Sequence, residues 1–332
     1  MRGTVIVYGV VCLFALCMPM LGIYPVFGMK VLCFAMFACA FNLLLGFGGM
    51  LSFGHAAFFG SAAYATSWLV TAHGWGTLPA LLTGAVVAAL LGLIIGALAI
   101  RRRGIYFAMI TLALAQLVYF VCLQAPFTGG ENGLQGVSRG QLFGVLDLKS
   151  DIAMYYLVLA IGIAVFIFIL RIVNSPFGQI LVAIRENEPR MVSLGYEINR
   201  YKLLAFVLSA MLAGLAGALK ALVLGFATLS DVLQDTSGEV VLMTLLGGSG
   251  TLLGPVLGAA VVVTLQEYLF DIVGDWVTVI LGAVFAICVL VFRRGIVGEL
   301  VAWRAQHRSQ TTEGESIRLR RRGAIAGRSI RP

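Results

Sequence analysis

The sequence predicts an all-α, polytopic transmembrane helix bundle with about nine to ten membrane segments, one of them short or re-entrant. Three observations carry that prediction. The 332 residues are 60% hydrophobic and only 11% charged, whereas soluble chains carry about 25% Asp, Glu, Lys and Arg. Apolar runs of around 20 residues recur along the chain, the length that crosses a bilayer as a helix. The segments of about ten residues alternating apolar and polar that mark a membrane β-barrel do not occur.

In order, the apolar runs place helices at 4–23, 28–46, 51–72, 78–100, 104–125, 152–173, 202–226, 238–248, 252–271 and 276–292. Arg2 and the first run resemble a signal peptide, but no small-residue cleavage site precedes a soluble domain, so this is read as a retained span. Arg101, Arg102 and Arg103 form the tightest basic cluster between two spans and assign that loop to the cytoplasm. Counting outward puts both termini inside, with Arg171 through Lys202 and Arg293–Arg294, and puts 126–151 outside. The element at 238–248 is too short for about 30 Å of hydrocarbon. It ends in GGSGTLLGP, which favours a re-entrant or broken helix buried in protein. A second glycine-dense break, LLGFGGMLSFGHAAFFG, lies at 44–60, so a duplicated architecture is one reading. Small residues four apart, as in Gly92–Gly96, Ala210–Gly214–Ala218, Ala213–Gly217–Ala221 and Gly254–Gly258, mark faces where helices approach closely.

Residues 1–296 thus read as one membrane domain, and 297–332 as a basic, disordered cytoplasmic tail lying against anionic lipid. The net charge of +8 does not indicate nucleic acid. Its arginines sit in inter-helix stretches and in the tail (Arg318, Arg320, Arg321, Arg322, Arg328 and Arg331), as the positive-inside rule requires. Cys12, Cys17, Cys33, Cys39, Cys122 and Cys288 form no CxxC pair and read as small hydrophobes. His55, His73 and His307 are too dispersed for a metal site. No Walker A sequence follows the Gly46–Gly49 run, so the chain is read as binding no cofactor and catalysing no reaction itself.

One segment breaks the apolar pattern: AIRENEPRMVSLGYEINRYK, residues 183–202. Burying Arg185, Glu186, Glu188 and Arg190 would cost on the order of 10 kcal/mol, at about 2.5–3.5 each, so the loop at about 174–201 lies outside the membrane. Ser175 and Pro176 start a helix through about Ile184. Asn187 caps a second, very short helix, with Pro189 in its first turn and Gly195 as its left-handed stop. That helix exposes Met191, Val192 and Leu194 and is too short to stand alone. It either docks a soluble partner or rests on lipid.

Five stretches occur here in the order of a known family: NLLLGFGGMLSFGHAAFFGSAAY (42–64), RRRGIYFAMITLALAQ (101–116), TGGENGLQGV (128–137), the run from Phe177 to Leu219, and LLGGSGTLLGPVLGA (245–259). On these the chain resembles the permease subunits of branched-chain amino acid ABC importers, of the LivH/LivM type and the LivM branch in particular. The resemblance implies a bacterial inner-membrane permease paired with a second, LivH-like permease, two cytoplasmic ATPase subunits that carry ATP and magnesium, and an extracytoplasmic substrate-binding protein. It makes 174–201 the coupling loop, with Arg185, Glu186, Asn187, Glu188 and Gly195 as ATPase contacts. Similar permeases carry urea, short amides and aromatic acids.

Polar groups within apolar helices are the substrate-pathway candidates: Asn42, Ser52 and His55 around the Gly46–Gly49 break, and Thr111 and Gln116. Each has a competing role as a cap or a bond between helices. Lys220 either snorkels toward the outer surface or meets a substrate carboxylate. The rival of another class is a stand-alone ion-coupled carrier or channel. It is disfavoured because Glu239, Glu267, Asp271 and Asp275 fall near expected helix ends rather than at mid-membrane.

Overall fold

The computed structural model describes residues 2–276 apart from 23, 143–145 and 149, and beyond them only 279–280, 282–284, 286 and 295. Most of the helix expected at 276–292, Cys288, Arg293–Arg294, His307 and the tail at 297–332 lie outside the described residues.

The elements are α1 (Arg2–Cys17), α2 (Pro25–Asn42) continuing into a π-helical turn (Leu43–Phe47), α3 (His55–His73), α4 (Thr77–Ala99), α5 (Ile105–Gln124) and α6 (Asp151–Val173). They are followed by α7 (Pro176–Glu186), α8 (Glu188–Ser193), α9 (Ile198–Leu224), α10 (Gln234–Gly247) and α11 (Gly254–Val273). Among the described residues five segments are long and apolar enough to cross a membrane: Pro25–Phe47, Thr77–Ala99, Ile105–Gln124, Asp151–Asn174 and Ile198–Leu224. Of these, the α2 and α9 segments are 78% and 72% buried, against 22–33% for the other three. The former are therefore the bundle's centre and the latter its outer wall.

α9 is the hub, and its small residues explain why. A Cβ on Gly92 of α4 would strike Ala210, one on Gly214 would strike Ala88 of α4, and one on Gly217 would strike the Phe59 carbonyl of α3. Three of the four stripes read from the sequence are thus the seams of α9 with α3 and α4, and the fourth, Gly254–Gly258, packs on α10. In lipid such close approach supplies the dispersion contact that water would otherwise enforce. Around the seam Phe37, Phe41, Phe58, Phe59 and Phe206 are fully buried.

The expected helix at 51–72 starts later, at His55, because the break is wider than a single kink. The π turn at 43–47 is followed by irregular backbone at 48–54, with Gly49 at φ +67°. Met50, Ser52 and Gly54 are buried, so this unwound backbone runs inside protein, the setting in which membranes tolerate it. α9 begins four residues earlier than expected, because its first turn stands in the polar segment that follows α8. Its 27 residues span about 40 Å.

α10 also starts earlier, at Gln234, yet its 14 residues give about 21 Å, short of the hydrocarbon thickness. It is entered from buried irregular chain: Asp231 and Val232 pack on Gly60 of α3. α10 and α11 form a hairpin around 248–253, closed so tightly that a Cβ on Gly258 would meet the Met243 carbonyl. At the far end of α9, the two-residue strands Leu134–Gln135 and Phe226–Ala227 pair antiparallel and tie the 125–150 loop to the hub.

Candidate functional site

The segment between α6 and α9 folds as its punctuation requires. The Ser175 hydroxyl accepts from the Gly178 N–H and Pro176 fills the first turn of α7. Asn187 Oδ1 accepts from the Arg190 N–H at 3.1 Å and caps α8. Gly195, at φ +85°, ends it, and the Tyr196 N–H returns to the Met191 carbonyl. Met191 is not exposed as expected. It is buried with Ile184 of α7 and Ile198 of α9, packed on by Ile180, Ala183 and Tyr201. This satellite core is what stabilises a helix too short to stand alone. Val192 and Leu194, at 57% and 63% exposure, remain the presented apolar groups.

Two of the five coupling candidates bond within the chain, Glu188 half-buried and Arg185 itself exposed. Glu188 receives Arg103 Nη2 at 3.2 Å and Lys202 Nζ at 3.0 Å, so it joins the arginine loop, α8 and α9. Arg185 donates through Nη1 to the Gly46 carbonyl at the π turn, and its side chain lies where a Cβ on Gly49 would stand. Glu186 and Asn187 are exposed, Asn187 serving as cap.

Gly46 is also where the two glycine breaks meet. Asn42 donates through Nδ2 to the Thr251 carbonyl at 2.8 Å and accepts at Oδ1 from the Gly250 N–H at 2.9 Å. One amide therefore satisfies two backbone groups of the α10–α11 turn from the end of α2, and Arg185 reaches the same junction from outside.

The other pathway candidates make local or inter-helix bonds. Ser52 Oγ accepts from the Gly54 N–H at 3.3 Å within the unwound stretch. Thr111 Oγ1 donates to the Ala108 carbonyl at 2.8 Å, and the Thr111 carbonyl abuts Gly54. His55 has no exposed surface. Its Nε2 lies 2.9 Å from Ser209 Oγ, which donates its proton to the Ala40 carbonyl, so the imidazole is assigned as the Nε2–H donor. Phe41, Phe58 and Phe206 meet the ring edge-on. Gln116 is half-buried on α5. Asn42, Ser52, His55 and Thr111 thus gather around one break, while Gln116 stands apart from it.

Lys220 does not snorkel. It is 8% exposed, ion-paired with Asp231, and 5.7 Å from the Phe226 ring centroid. Asp231 also completes a capping box with Thr228. The sequence carried the signal, TLSD after a turn glycine, at 228–231. Nearby, Arg139 pairs with Asp151 and donates to the Val223 carbonyl at 2.7 Å. The argument from helix ends needs correction for two acids. Glu239 lies inside α10, bonded to Gln266 at 2.8 Å, and Glu267 lies inside α11, paired with Lys30 of α2 at 2.6 Å. Both have assigned partners. Among the described residues no group of three or more His, Cys, Asp or Glu is placed to hold a metal.

Residues 27–290 match the family model described as branched-chain amino acid transport system / permease component. The chain is 28% identical over 253 residues to the high-affinity branched-chain amino acid transport system permease protein LivM of Escherichia coli, covering 69% of this chain and 60% of that protein. It is 27% identical over 193 residues to the probable branched-chain amino acid transport permease protein LivM of Methanocaldococcus jannaschii, covering 54% and 53%. A shorter stretch of 144 residues is 35% identical to the autoinducer 2 import system permease protein LsrC of Klebsiella pneumoniae, covering 40% and 39%. The chain therefore spans about 60% or less of these relatives' lengths. No solved structure matches it.

Proposed function

The chain belongs to the branched-chain amino acid transport system permease family, and on that premise we propose that it is a membrane-spanning subunit of an ATP-driven importer for branched-chain or related amino acids. In this reading the arginine loop and α7–α8 face the cytoplasm of a bacterial inner membrane. ATPase subunits dock on Val192, Leu194 and the exposed Glu186–Asn187 edge, a second permease completes the pathway, and a binding protein delivers substrate at the 125–150 loop. ATP and magnesium belong to the ATPases.

The observation that carries the reading is Arg185. From the docking segment it reaches the carbonyl of Gly46, where Asn42 ties together both glycine breaks. A push on α7–α8 is thereby delivered to the one place where the central helices are already unwound. Asn42, Ser52, His55 and Thr111 shape that break, and Gln116, half-buried on α5 and apart from it, has no assigned part in this route.

The test is uptake in reconstituted vesicles. It should require ATP, the ATPase and the binding protein together. Uptake by this chain alone, driven by an ion gradient, would assign Glu239 and Glu267 to proton or cation coupling and overturn the importer reading.

A further inference from the structure

A cavity lies beside α7–α8, distinct from the docking groups Val192 and Leu194. It holds about 530 Å³ between the unwound stretch at 48–53, the arginine loop and α7–α8. Its lining carries Arg102, Arg103, Arg185 and Lys202 against the single carboxylate of Glu188. Glu188 is divided between Arg103 and Lys202, and Arg185 is taken by the Gly46 carbonyl. The Arg102 guanidinium has no partner among the described residues, so the cavity carries uncompensated positive charge.

The rest of the wall is apolar, with Leu51, Phe53, Ile105 and Phe107 among it. A basic recess for a small soluble anion has no use for such a wall. The apolar surface also continues outward. Ile105 and Tyr106, at the mouth, are exposed, and Met109, Leu117 and Phe120 extend an exposed row along α5. These spacings keep one face of a helix. α5 is long and apolar enough to cross a membrane and only 33% of it is buried within the chain, and a cavity at the basic end of such a helix falls at headgroup depth.

We propose that this cavity is a binding site for one anionic phospholipid, its phosphate and headgroup held by Arg102 and Arg103, and one acyl chain laid along the Tyr106–Met109–Leu117 face of α5. The site closes over Glu188 and Arg185, so a bound lipid braces the coupling segment against the membrane. Neither ATPase nor substrate is needed for binding, so the proposal stands or falls apart from the transport reading.

Native mass spectrometry of the purified chain in mild detergent tests it, with phosphatidylglycerol and phosphatidylcholine of identical acyl chains as probes. Phosphatidylglycerol should be retained in preference. Arg102→Gln should lower its retention by about fivefold, the equivalent of the roughly 1 kcal/mol of one basic residue near an anionic surface, while Arg102→Lys keeps most of it. Arg101→Gln, one position outside the lining, should leave retention unchanged. Because the Arg102 guanidinium has no partner among the described residues, and its backbone N–H bond to Ala99 does not depend on the side chain, its loss does not threaten the fold. Equal retention of the two lipids, an unaffected Arg102→Gln variant, or an equal loss in Arg101→Gln would overturn the site. Displacement of the lipid by millimolar inorganic phosphate would show a soluble-anion pocket instead, and would likewise overturn the lipid assignment.

Discussion

Two lysines on one helix hold opposite kinds of ion pair. At the start of α9, Lys202 shares Glu188 with Arg103, whose side chain is 70% exposed. Near its end, Lys220 meets Asp231 alone, with both side chains at 10% exposure or less. The inner cluster is wet on one side and has a spare cation, so it can loosen and re-form. The outer pair is dry and, among the described residues, has no second counter-charge, so it can only hold or fail. The two ends thus differ in kind: a rigid end that fixes α10's entry and a compliant end beside α7–α8.

Breaking the dry pair should therefore have the largest effect. Asp231→Ala leaves an ammonium buried without a counter-charge and removes the Thr228 capping box, at a cost of about 3–5 kcal/mol. Thermal unfolding in detergent should show it as a large fall in midpoint. The double variant Lys220→Met with Asp231→Leu should recover most of the loss, since two apolar side chains replace two charges. If Asp231→Ala unfolds like the parent, Lys220 reaches water and the two ends do not differ as described.

Glu188→Lys comes next. It places a third cation between Arg103 and Lys202 and should cost roughly 1–3 kcal/mol, less than a sealed pair because one partner is hydrated. The loss should appear as protease cleavage within 176–198 and weaker retention on an ATPase column, with membrane insertion intact. Adding Lys202→Glu should restore part of both. Unchanged cleavage and retention would mean that Glu188 does not organise the docking segment.

Much of this architecture was readable beforehand, and the reasons are physical. Span length, the cap at Asn187 and the stop at Gly195 are local rules, and they placed α4, α6 and α8 almost to the residue. What escaped depends on contacts remote in sequence. Asn42 bonds a turn 209 residues away, and nothing near it announces that partner. Lys220 looked like a snorkelling side chain because depth was counted along a straight helix. The chain instead folds back after Gly225 and delivers Asp231 to it. The resemblance marks Glu188 and Arg185 as ATPase contacts, and what sequence could not supply is that both also bond within this chain.

A smaller effect separates conformation from contact. Gly195 has φ +85°, and a Cβ there would meet no atom within 4 Å. Gly195→Val should thus cost about 1–2 kcal/mol through the left-handed torsion alone, and Gly195→Asn clearly less. The readout is again cleavage of the 176–198 segment. Equal effects of valine and asparagine would point to a lost contact instead of a torsion.

The smallest expected effect is the sharpest discriminator. Arg103→Gln removes the hydrated arm of the inner cluster and leaves Lys202 on Glu188, so its cost should stay at about 0.2–1 kcal/mol. That cost should also depend on salt. Between about 0.1 M and 1 M the Debye length falls from about 10 Å to 3 Å, which screens exposed charges but not a buried pair. Measured in detergent free of anionic lipid, the difference between Arg103→Gln and parent should shrink toward nothing at high salt, while the deficit of Asp231→Ala persists. Two salt-insensitive deficits would mean that the Arg103 pair is sealed like the outer one. Two salt-sensitive deficits would mean that Asp231 is hydrated, and the compliance of the inner end could then not be credited to its exposure.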